Sequence, residues 1–154
     1  MGEQVFLKTG SICFEKGLPG FDGLKEFDLV AMEQVGFFNL SASQDENISL
    51  LLVDPYMYFP NYEVEIDDAI MSRLNIKDAN DVLILSVVTL NNDIEKVTLN
   101  LRAPIIVNIN SGDAEQLILN REDYLVRQSL VVKRGWILSV SYFTQAWGKF
   151  GNRR

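Results

Sequence analysis

The sequence predicts an all-β protein, a small antiparallel barrel or sandwich with one short helix. Apolar runs of strand length recur along the 154-residue chain, separated by clusters of turn-forming residues. Within residues 1–130, only residues 67–74 have a helical pattern, in which acidic side chains at the start complement the helix dipole. Strands at this spacing with so little helix favour a sandwich or barrel over alternating β-α-β units.

The first half of the chain contains four predicted strands. Residues 4–14 alternate loosely between apolar and polar, which fits a strand or a hairpin that turns at 9–11. Two glycines and a proline within 16–21 enforce a turn. The polar stretch 43–47 predicts a hairpin loop, and the apolar run after it predicts a strand buried on both faces. The four predicted strands are 4–14, 27–32, 37–42 and 48–53.

The second half contains four further predicted strands. Residues 82–90 form a long apolar run rich in branched side chains, so a buried central strand is expected. The polar turn 91–93 predicts an antiparallel hairpin with the strand that follows. Pro104 interrupts the alternation, and residues 111–113 turn the chain again. These four predicted strands are 82–90, 97–102, 105–109 and 114–119.

The stretch between the two halves, residues 54–63, is called the aromatic joint here. Pro55 and Pro60 fix their own backbones and restrict the preceding residues, so the joint is expected to be neither helix nor central strand. Its rings have two interpretations. They either plug one end of the sheet core or stay exposed as anchors for a partner protein, because rings on a stiff loop lose little entropy on binding.

Composition excludes several classes of chemistry. A chain of this length fits one domain with an independent core. Cys13 is the only cysteine and there is no histidine, which excludes a disulfide within the chain, a Ser-His-Asp triad and the usual histidine-ligated metal sites. The first residues lack a signal-peptide pattern and no apolar run is long enough to span a membrane. We therefore expect a cytoplasmic protein without a cofactor.

Charge is distributed unevenly along the chain. Residues 1–130 hold all 21 acidic residues and 9 of the 14 basic ones, so their net charge is 9 − 21 = −12. Residues 131–154 hold the other five basic residues and no acidic one. An acidic body repels nucleic-acid backbones and favours partners with a basic face.

Four segments of the chain form a recognisable set in this order: Gly17-Leu18-Pro19-Gly20-Phe21, Asp54-Pro55 with Phe59-Pro60-Asn61-Tyr62-Glu63, residues 83–90, and Asn100-Leu101-Arg102-Ala103-Pro104-Ile105-Ile106-Val107-Asn108. Together they resemble the FliW family of flagellar assembly factors. The last resembles the family's Asn-Leu-x-Ala-Pro-Ile segment and is the most specific. The resemblance covers about residues 10–130, so the chain divides into a FliW-like β domain, 1–130, and a basic aromatic tail, 131–154.

The resemblance implies an all-β pseudobarrel that acts by binding and not by catalysis. Its implied partners are the translational repressor CsrA, a dimeric basic RNA-binding protein, and flagellin. Free factor would capture CsrA and relieve repression of flagellin mRNA, whereas accumulated flagellin would sequester the factor. We expect no direct contact with nucleic acid or membrane, and a monomer when free. The alternative within this class is an export chaperone for flagellin that does not bind CsrA.

Candidate partner-binding residues come from three groups. The apolar anchors and the acidic rim flank each other in the sequence, and the third group is expected to form an exposed turn. For Pro104 and Ile105 the alternative is a strand bulge and a core residue. The candidates are Tyr56, Tyr58, Phe59 and Tyr62 as anchors, Glu63, Glu65 and Asp67 as rim, and Ala103, Pro104, Ile105 and Ile106 as turn.

Three features leave alternatives open. The carboxylates of Glu63, Glu65, Asp67 and Asp68 could hold a divalent cation or work as an acid/base pair, although no nucleophile or histidine accompanies them. The family often has a histidine after its last arginine or lysine, whereas Arg127 is followed by Gln128. The tail carries aromatic residues at helical spacing, and it either docks on the body or contacts a membrane, RNA or the acidic face.

Overall fold

The computed structural model describes residues 9–130, and within them nine strands form one curved sheet around a barrel. The strands are β1 Thr9–Phe14, β2 Glu26–Ala31, β3 Phe37–Ala42, β4 Asp45–Val53, β5 Val82–Thr89, β6 Thr98–Leu99, β7 Ile105–Asn108, β8 Asp113–Gln116 and β9 Gln128–Ser129. The helix α1 is Asp68–Arg73, and single 3-10 turns occur at Pro55–Met57, Ala79–Asp81 and Ile94–Lys96. The all-β prediction with one short helix is confirmed.

The barrel closes because both ends of a seven-strand ribbon meet. The ribbon runs in the order β4-β3-β2-β1-β8-β7-β5, and β4 pairs with β5 through Leu52 and Val87. Strands β6 and β9 extend the sheet beyond β5. All these pairs are antiparallel except β1 with β8, which run parallel at Cys13 and Phe14. The prediction of a purely antiparallel sheet is therefore wrong at this one seam.

Gly112 makes the parallel seam possible. Its φ of +83° is in the left-handed region that favours glycine. A Cβ at this position would lie 2.4 Å from the carbonyl oxygen of Ser11. The carbonyl of Gly112 accepts a hydrogen bond of 2.8 Å from the amide of Cys13, so the turn before β8 is bonded directly to β1.

Alternate side chains of the ribbon fill the barrel. On β3, Phe38, Leu40 and Ala42 point into the interior core, as expected for the period of two along a strand. The rings of Phe14 and Phe27 meet edge to face with centroids 5.4 Å apart. The principal buried residues of this core are Ile12, Phe14, Leu18, Phe27, Leu29, Phe38, Leu40, Ala42, Leu52, Leu85, Ile105, Val107 and Ala114.

A second core covers the outer face of β3, β4, β5 and β6. The intervening residues Phe37, Leu51 and Val53 point outward and are buried against the aromatic joint and the segment 117–130. A smaller third cluster forms where Ile70 and Leu74 of the α1 region cover Ile106 of β7. Of the two interpretations of the joint's rings, burial in a core applies to Tyr58 and Tyr62, and the core they join is this outer one.

Several predicted boundaries differ from the structure. Residues 9–11 lie within β1 and do not turn the chain, and β4 begins at Asp45, inside the predicted loop 43–47. The helix predicted over 67–74 spans Asp68–Arg73. The tail 131–154 lies outside the described residues. No helix between residues 9 and 130 is long and apolar enough to cross a membrane.

Candidate partner-binding surface

The aromatic joint begins with a single 3-10 turn, where no helical structure was predicted. Asp54 caps it: the carboxylate accepts a 2.9 Å hydrogen bond from the amide of Tyr56. Pro55 follows at the first position, where its missing N–H is not needed. Burial raises the pKa of the Asp54 carboxyl, and the bond from the Tyr56 amide opposes that rise. The joint is therefore a fixed corner that leads the chain out of β4.

Gly36 connects this corner to the turn between β2 and β3. Its carbonyl accepts a 2.8 Å hydrogen bond from the amide of Asp54. A Cβ on Gly36 would lie 2.0 Å from the sulfur of Met57, so a larger residue would displace that flexible side chain, and the φ of +89° also favours glycine. Met57 itself stays 39% exposed. Among the aromatic and methionine side chains of the joint, Met57 is the most exposed.

The four predicted anchor rings differ in exposure. Tyr58 and Tyr62 are only 4% and 5% exposed, so the expectation that they are accessible anchors is wrong. They are buried because the joint packs against the other residues of the outer core. Tyr56 and Phe59 are half-buried and retain a solvent-facing edge.

Tyr62 links the joint to the chain that follows β6. Its hydroxyl donates a 2.5 Å hydrogen bond to the carbonyl of Leu101, and burial raises the pKa of this phenol. Its ring lies 5.5 Å from that of Tyr56 and 4.9 Å from that of Tyr124. The three rings therefore connect the joint with the segment 117–127.

The segment 100–104 is a bulge and not an exposed turn. β6 and β7 pair with successive parts of β5, and the bulge lies between them. The Asn100 side chain accepts hydrogen bonds from the amides of Arg102 and Ala103, which holds its shape. Pro104, Ile105 and Ile106 are buried, which corrects the prediction of exposure, and Ala103 is half-buried.

The predicted acidic rim is solvent-exposed, but its members have different roles. Asp67 caps α1, since its carboxylate accepts a 2.9 Å hydrogen bond from the amide of Ile70. Glu63 lies 3.5 Å from a guanidinium nitrogen of Arg121. Glu65 makes no ion pair with any residue between 9 and 130. Of the three rim residues, Glu65 alone has neither an ion pair nor a capping role among residues 9–130.

Arg121 and Tyr124 fasten the rim to the segment 117–127. The Arg121 guanidinium lies 4.3 Å from the centre of the Tyr124 ring and forms two hydrogen bonds to Asp123. The Tyr124 hydroxyl accepts a 2.9 Å hydrogen bond from the amide of Glu63. The hydrogen bonds from Arg121 lower the pKa of the Asp123 carboxyl.

The acidic side chains do not form a metal centre. Among residues 9–130, no group of three or more cysteine and carboxylate side chains is placed to hold a metal ion. Glu63, Glu65, Asp67 and Asp68 instead project separately along the surface. The arrangement can offer negative charge to a protein partner.

Comparison with known proteins identifies the family. The family described as FliW protein matches residues 1–130 of this chain. The chain belongs to the FliW family.

Two relatives and one structure illustrate the similarity. The flagellar assembly factor FliW of Clostridium botulinum (strain Alaska E43 / Type E3) is 40% identical over 131 residues, covering 84% of this chain and 93% of that protein. The flagellar assembly factor FliW of Clostridium beijerinckii is 37% identical with the same coverage. A crystal structure of the flagellar assembly factor FliW matches with a TM-score of 0.74 and 31% identity, covering 80% of this chain and 87% of that one.

The segments that resemble the FliW family occupy structural positions in the fold. The first forms the turn in which Leu18 bridges to Phe21, and the second forms the joint. The last forms the bulge and β7. Gln128 lies in β9 opposite Leu99 and donates to the carbonyl of Ser129.

Sequence reasoning missed the segment 120–127 of this FliW-family chain and placed residues 117–119 in a strand that ends at Gln116 in the structure. Arg121 and Tyr124 hold the joint, yet they lie in a polar stretch with no periodic pattern. Ile118, Leu125 and Val126 are exposed apolar residues that were assigned to no surface. One signal was present: Tyr124 is an isolated aromatic residue between charged residues and apolar ones, which is unusual in a solvated loop.

Proposed function

We propose that this chain is a flagellar assembly factor that binds CsrA and flagellin and does not act as a catalyst. In this proposal the free protein captures CsrA and relieves repression of flagellin translation, and accumulated flagellin sequesters the protein. Membership of the FliW family supports the flagellar role. The observation that carries the CsrA assignment is the exposed acidic rim beside the joint, on a body with a net charge of 9 − 21 = −12.

The rim suits a basic partner for a physical reason. Glu65 is exposed and unpaired with any described residue, so no local cation cancels its field. Complementary charges steer association and weaken with added salt. The half-buried rings of Tyr56 and Phe59 and the exposed Met57 lie in the same joint and provide adjacent apolar contact area.

A charge variant tests this assignment. We expect Glu65→Lys combined with Asp67→Asn to weaken CsrA binding roughly tenfold and to reduce its salt dependence, because two negative charges are lost and one positive charge is introduced. Asparagine is as good an N-cap as aspartate, so α1 should keep its cap. The measurement is calorimetric titration of the full chain with purified CsrA at two salt concentrations.

The matched control is Glu46→Lys combined with Asp22→Asn, which changes the net charge equally at exposed positions outside the joint. It should bind CsrA with nearly the affinity of the unmodified chain. Equal weakening by both variants would show a response to net charge and would remove the rim from the contact. If the unmodified chain binds flagellin and not CsrA, the function is that of an export chaperone.

A further inference from the structure

An apolar patch stays exposed where the aromatic joint meets the turn between β2 and β3. Val35 is 59% exposed and Met57 is 39% exposed. The Met57 side chain lies directly against Gly36, where a Cβ would meet its sulfur at 2.0 Å, and Val35 precedes Gly36 in the chain. We call Val35, Gly36, Tyr56 and Met57 the joint patch. Joined apolar groups beside charged residues are typical of a contact site.

Described contacts connect the joint patch to the acidic rim. The ring of Tyr56 lies 5.5 Å from that of Tyr62, and Glu63 follows Tyr62 in the chain. Glu63 and Glu65 are both exposed. Apolar area and negative charge are therefore neighbours, which suits a segment that carries apolar rings together with basic side chains.

The described part of the chain ends beside this patch. Leu130 is buried in the outer core together with Phe37 and Tyr58. Phe37 directly follows Gly36, and Tyr58 directly follows Met57. The tail 131–154 therefore starts from the core that the joint patch borders. Six residues of extended chain span about 20 Å, so even the first tryptophan of the tail is within reach of the patch.

The composition of the tail complements this surface. Residues 131–154 contain five basic residues and no acidic one, against a net charge of 9 − 21 = −12 for residues 1–130. Both tryptophans of the chain, Trp136 and Trp147, are in the tail. Aromatic rings bury a large apolar area, and a covalent link gives the tail a high effective concentration at its own body.

We propose that the tail 131–154 docks on the joint patch and the acidic rim of its own chain. Its rings cover the apolar part of the surface and its cations face the carboxylates. The consequence for regulation rests on the proposed function, because the rim is the surface assigned to the basic protein CsrA. The tail is then an internal competitor, and CsrA binds only the fraction of molecules whose tail is undocked.

Tryptophan fluorescence of the full chain tests the contact without a label. Acrylamide should quench the emission at least about twofold less than in a synthetic peptide of residues 131–154, because docked rings are shielded from solvent. Val35→Ser with Met57→Ser should raise quenching towards the value of the peptide. Glu65→Lys with Asp67→Asn should do the same, and so should added salt. Thermal melting verifies that each variant is folded.

Two controls separate the proposed surface from the rest of the body. Ile118→Ser removes a side chain that is 76% exposed on the segment between β8 and β9. Glu46→Lys with Asp22→Asn changes the net charge as much as the rim variant does, at exposed positions outside the joint. Both controls should leave the quenching unchanged. Loss of protection in the controls equal to that in the surface variants would overturn the assignment to the joint patch.

The effect on the partner is measured with the five tail cations neutralised in the full chain. This variant should bind CsrA roughly three- to tenfold more tightly in calorimetric titration, because the competing tail is weakened. Unchanged affinity would overturn the competition. The substitutions are Lys133→Gln, Arg134→Gln, Lys149→Gln, Arg153→Gln and Arg154→Gln.

The outcomes distinguish this inference from the function. If the unmodified chain does not bind CsrA while its tryptophans are protected, the proposed function fails and the docking of the tail stands. Quenching equal to that of the peptide overturns the docking, whatever CsrA does. Protection that disappears on dilution would assign the surface to the tail of a second copy. Protection that arises only with vesicles of anionic phospholipid would assign the tail to a membrane.

Discussion

At the scale of single residues, Glu115 joins three parts of the fold. Its carboxylate accepts two hydrogen bonds from the Arg73 guanidinium, at 3.0 and 2.9 Å, and lies 3.7 Å from the ammonium of Lys16. Glu115 is on β8, Arg73 ends α1, and Lys16 follows β1. The bonds from Arg73 hold the pKa of Glu115 below its ordinary value of 4.5.

This lowered pKa predicts an acid-dependent loss of stability. The folded state binds the Glu115 proton less tightly than the unfolded state, so the contribution is present above pH 4.5 and is lost as the pH falls through the folded pKa. Urea unfolding from pH 7 to pH 3 should show Glu115→Gln less stable at pH 7 and approaching the unmodified chain at pH 3. A constant difference across this range would contradict the prediction.

Residue roles were predictable where the chemistry is local. Asp67 was assigned to the start of a helix, and the structure confirms it as the N-cap of α1. Tyr58 and Tyr62 were misjudged because burial depends on what covers the joint. That cover comes partly from Leu119, Tyr124 and Leu130, which are far away in the sequence. No local pattern in the joint carries this information.

At the scale of elements, the seam between β1 and β8 depends on Gly112. Gly112→Ala places a non-glycine residue at a φ of +83° and brings its Cβ within 2.4 Å of a backbone oxygen of β1. Backbone strain of this kind costs about 1–3 kcal/mol, and the clash adds to it. The matched control is Gly20→Ala, which has a φ of +90° but no atom within 4 Å of the new Cβ.

The free energies of unfolding of the two alanine variants measure how much stability is lost when the pairing of β1 with β8 is disturbed. We expect the stability of Gly20→Ala to fall only by the cost of the backbone strain. The stability of Gly112→Ala should fall clearly further, because β1 must also move away from the turn before β8. Equal losses would mean that the seam adapts without cost.

Strands were predicted well and their connections were not. Runs of apolar residues located β2, β3, β5 and β7 to within a few residues, because a short apolar run is itself the sequence pattern of a buried strand. The bulge at 100–104 was taken for an exposed turn since Pro104 breaks the pattern. Its burial follows from β6 and β7 sharing β5 as a partner, which is a property of topology and not of the segment.

At the scale of the whole molecule, two layers are held by different means. The barrel consists of paired strands around an apolar interior. The outer layer, made of the joint and residues 117–130, has few ladder bonds and is attached by rings and single hydrogen bonds. The acidic rim adjoins this outer layer, since the amide of Glu63 donates a hydrogen bond to the Tyr124 hydroxyl. A layer of this kind opens at lower free energy than the strands beneath it.

Removing the Tyr124 ring tests whether the layers open separately. Tyr124→Ala removes three interactions: the ring contact with Tyr62, the hydrogen bond that the Tyr124 hydroxyl accepts from the Glu63 amide, and the cation–π contact with Arg121. Native-state hydrogen exchange should accelerate roughly tenfold or more at the amides of Glu63 and Leu101. The amide of Phe14, bonded to Lys25 in the barrel, should keep its rate.

Tyr124→Phe is the matched control, because it keeps the ring and removes only the hydroxyl that accepts from Glu63. Its effect should be confined to the Glu63 amide. If Tyr124→Ala instead accelerates exchange equally at Phe14, the barrel and the outer layer unfold as one unit. Separate acceleration, by contrast, would mean that the outer layer opens while the barrel stays folded, so a protein bound at the joint could change residues 117–130 without unfolding the barrel.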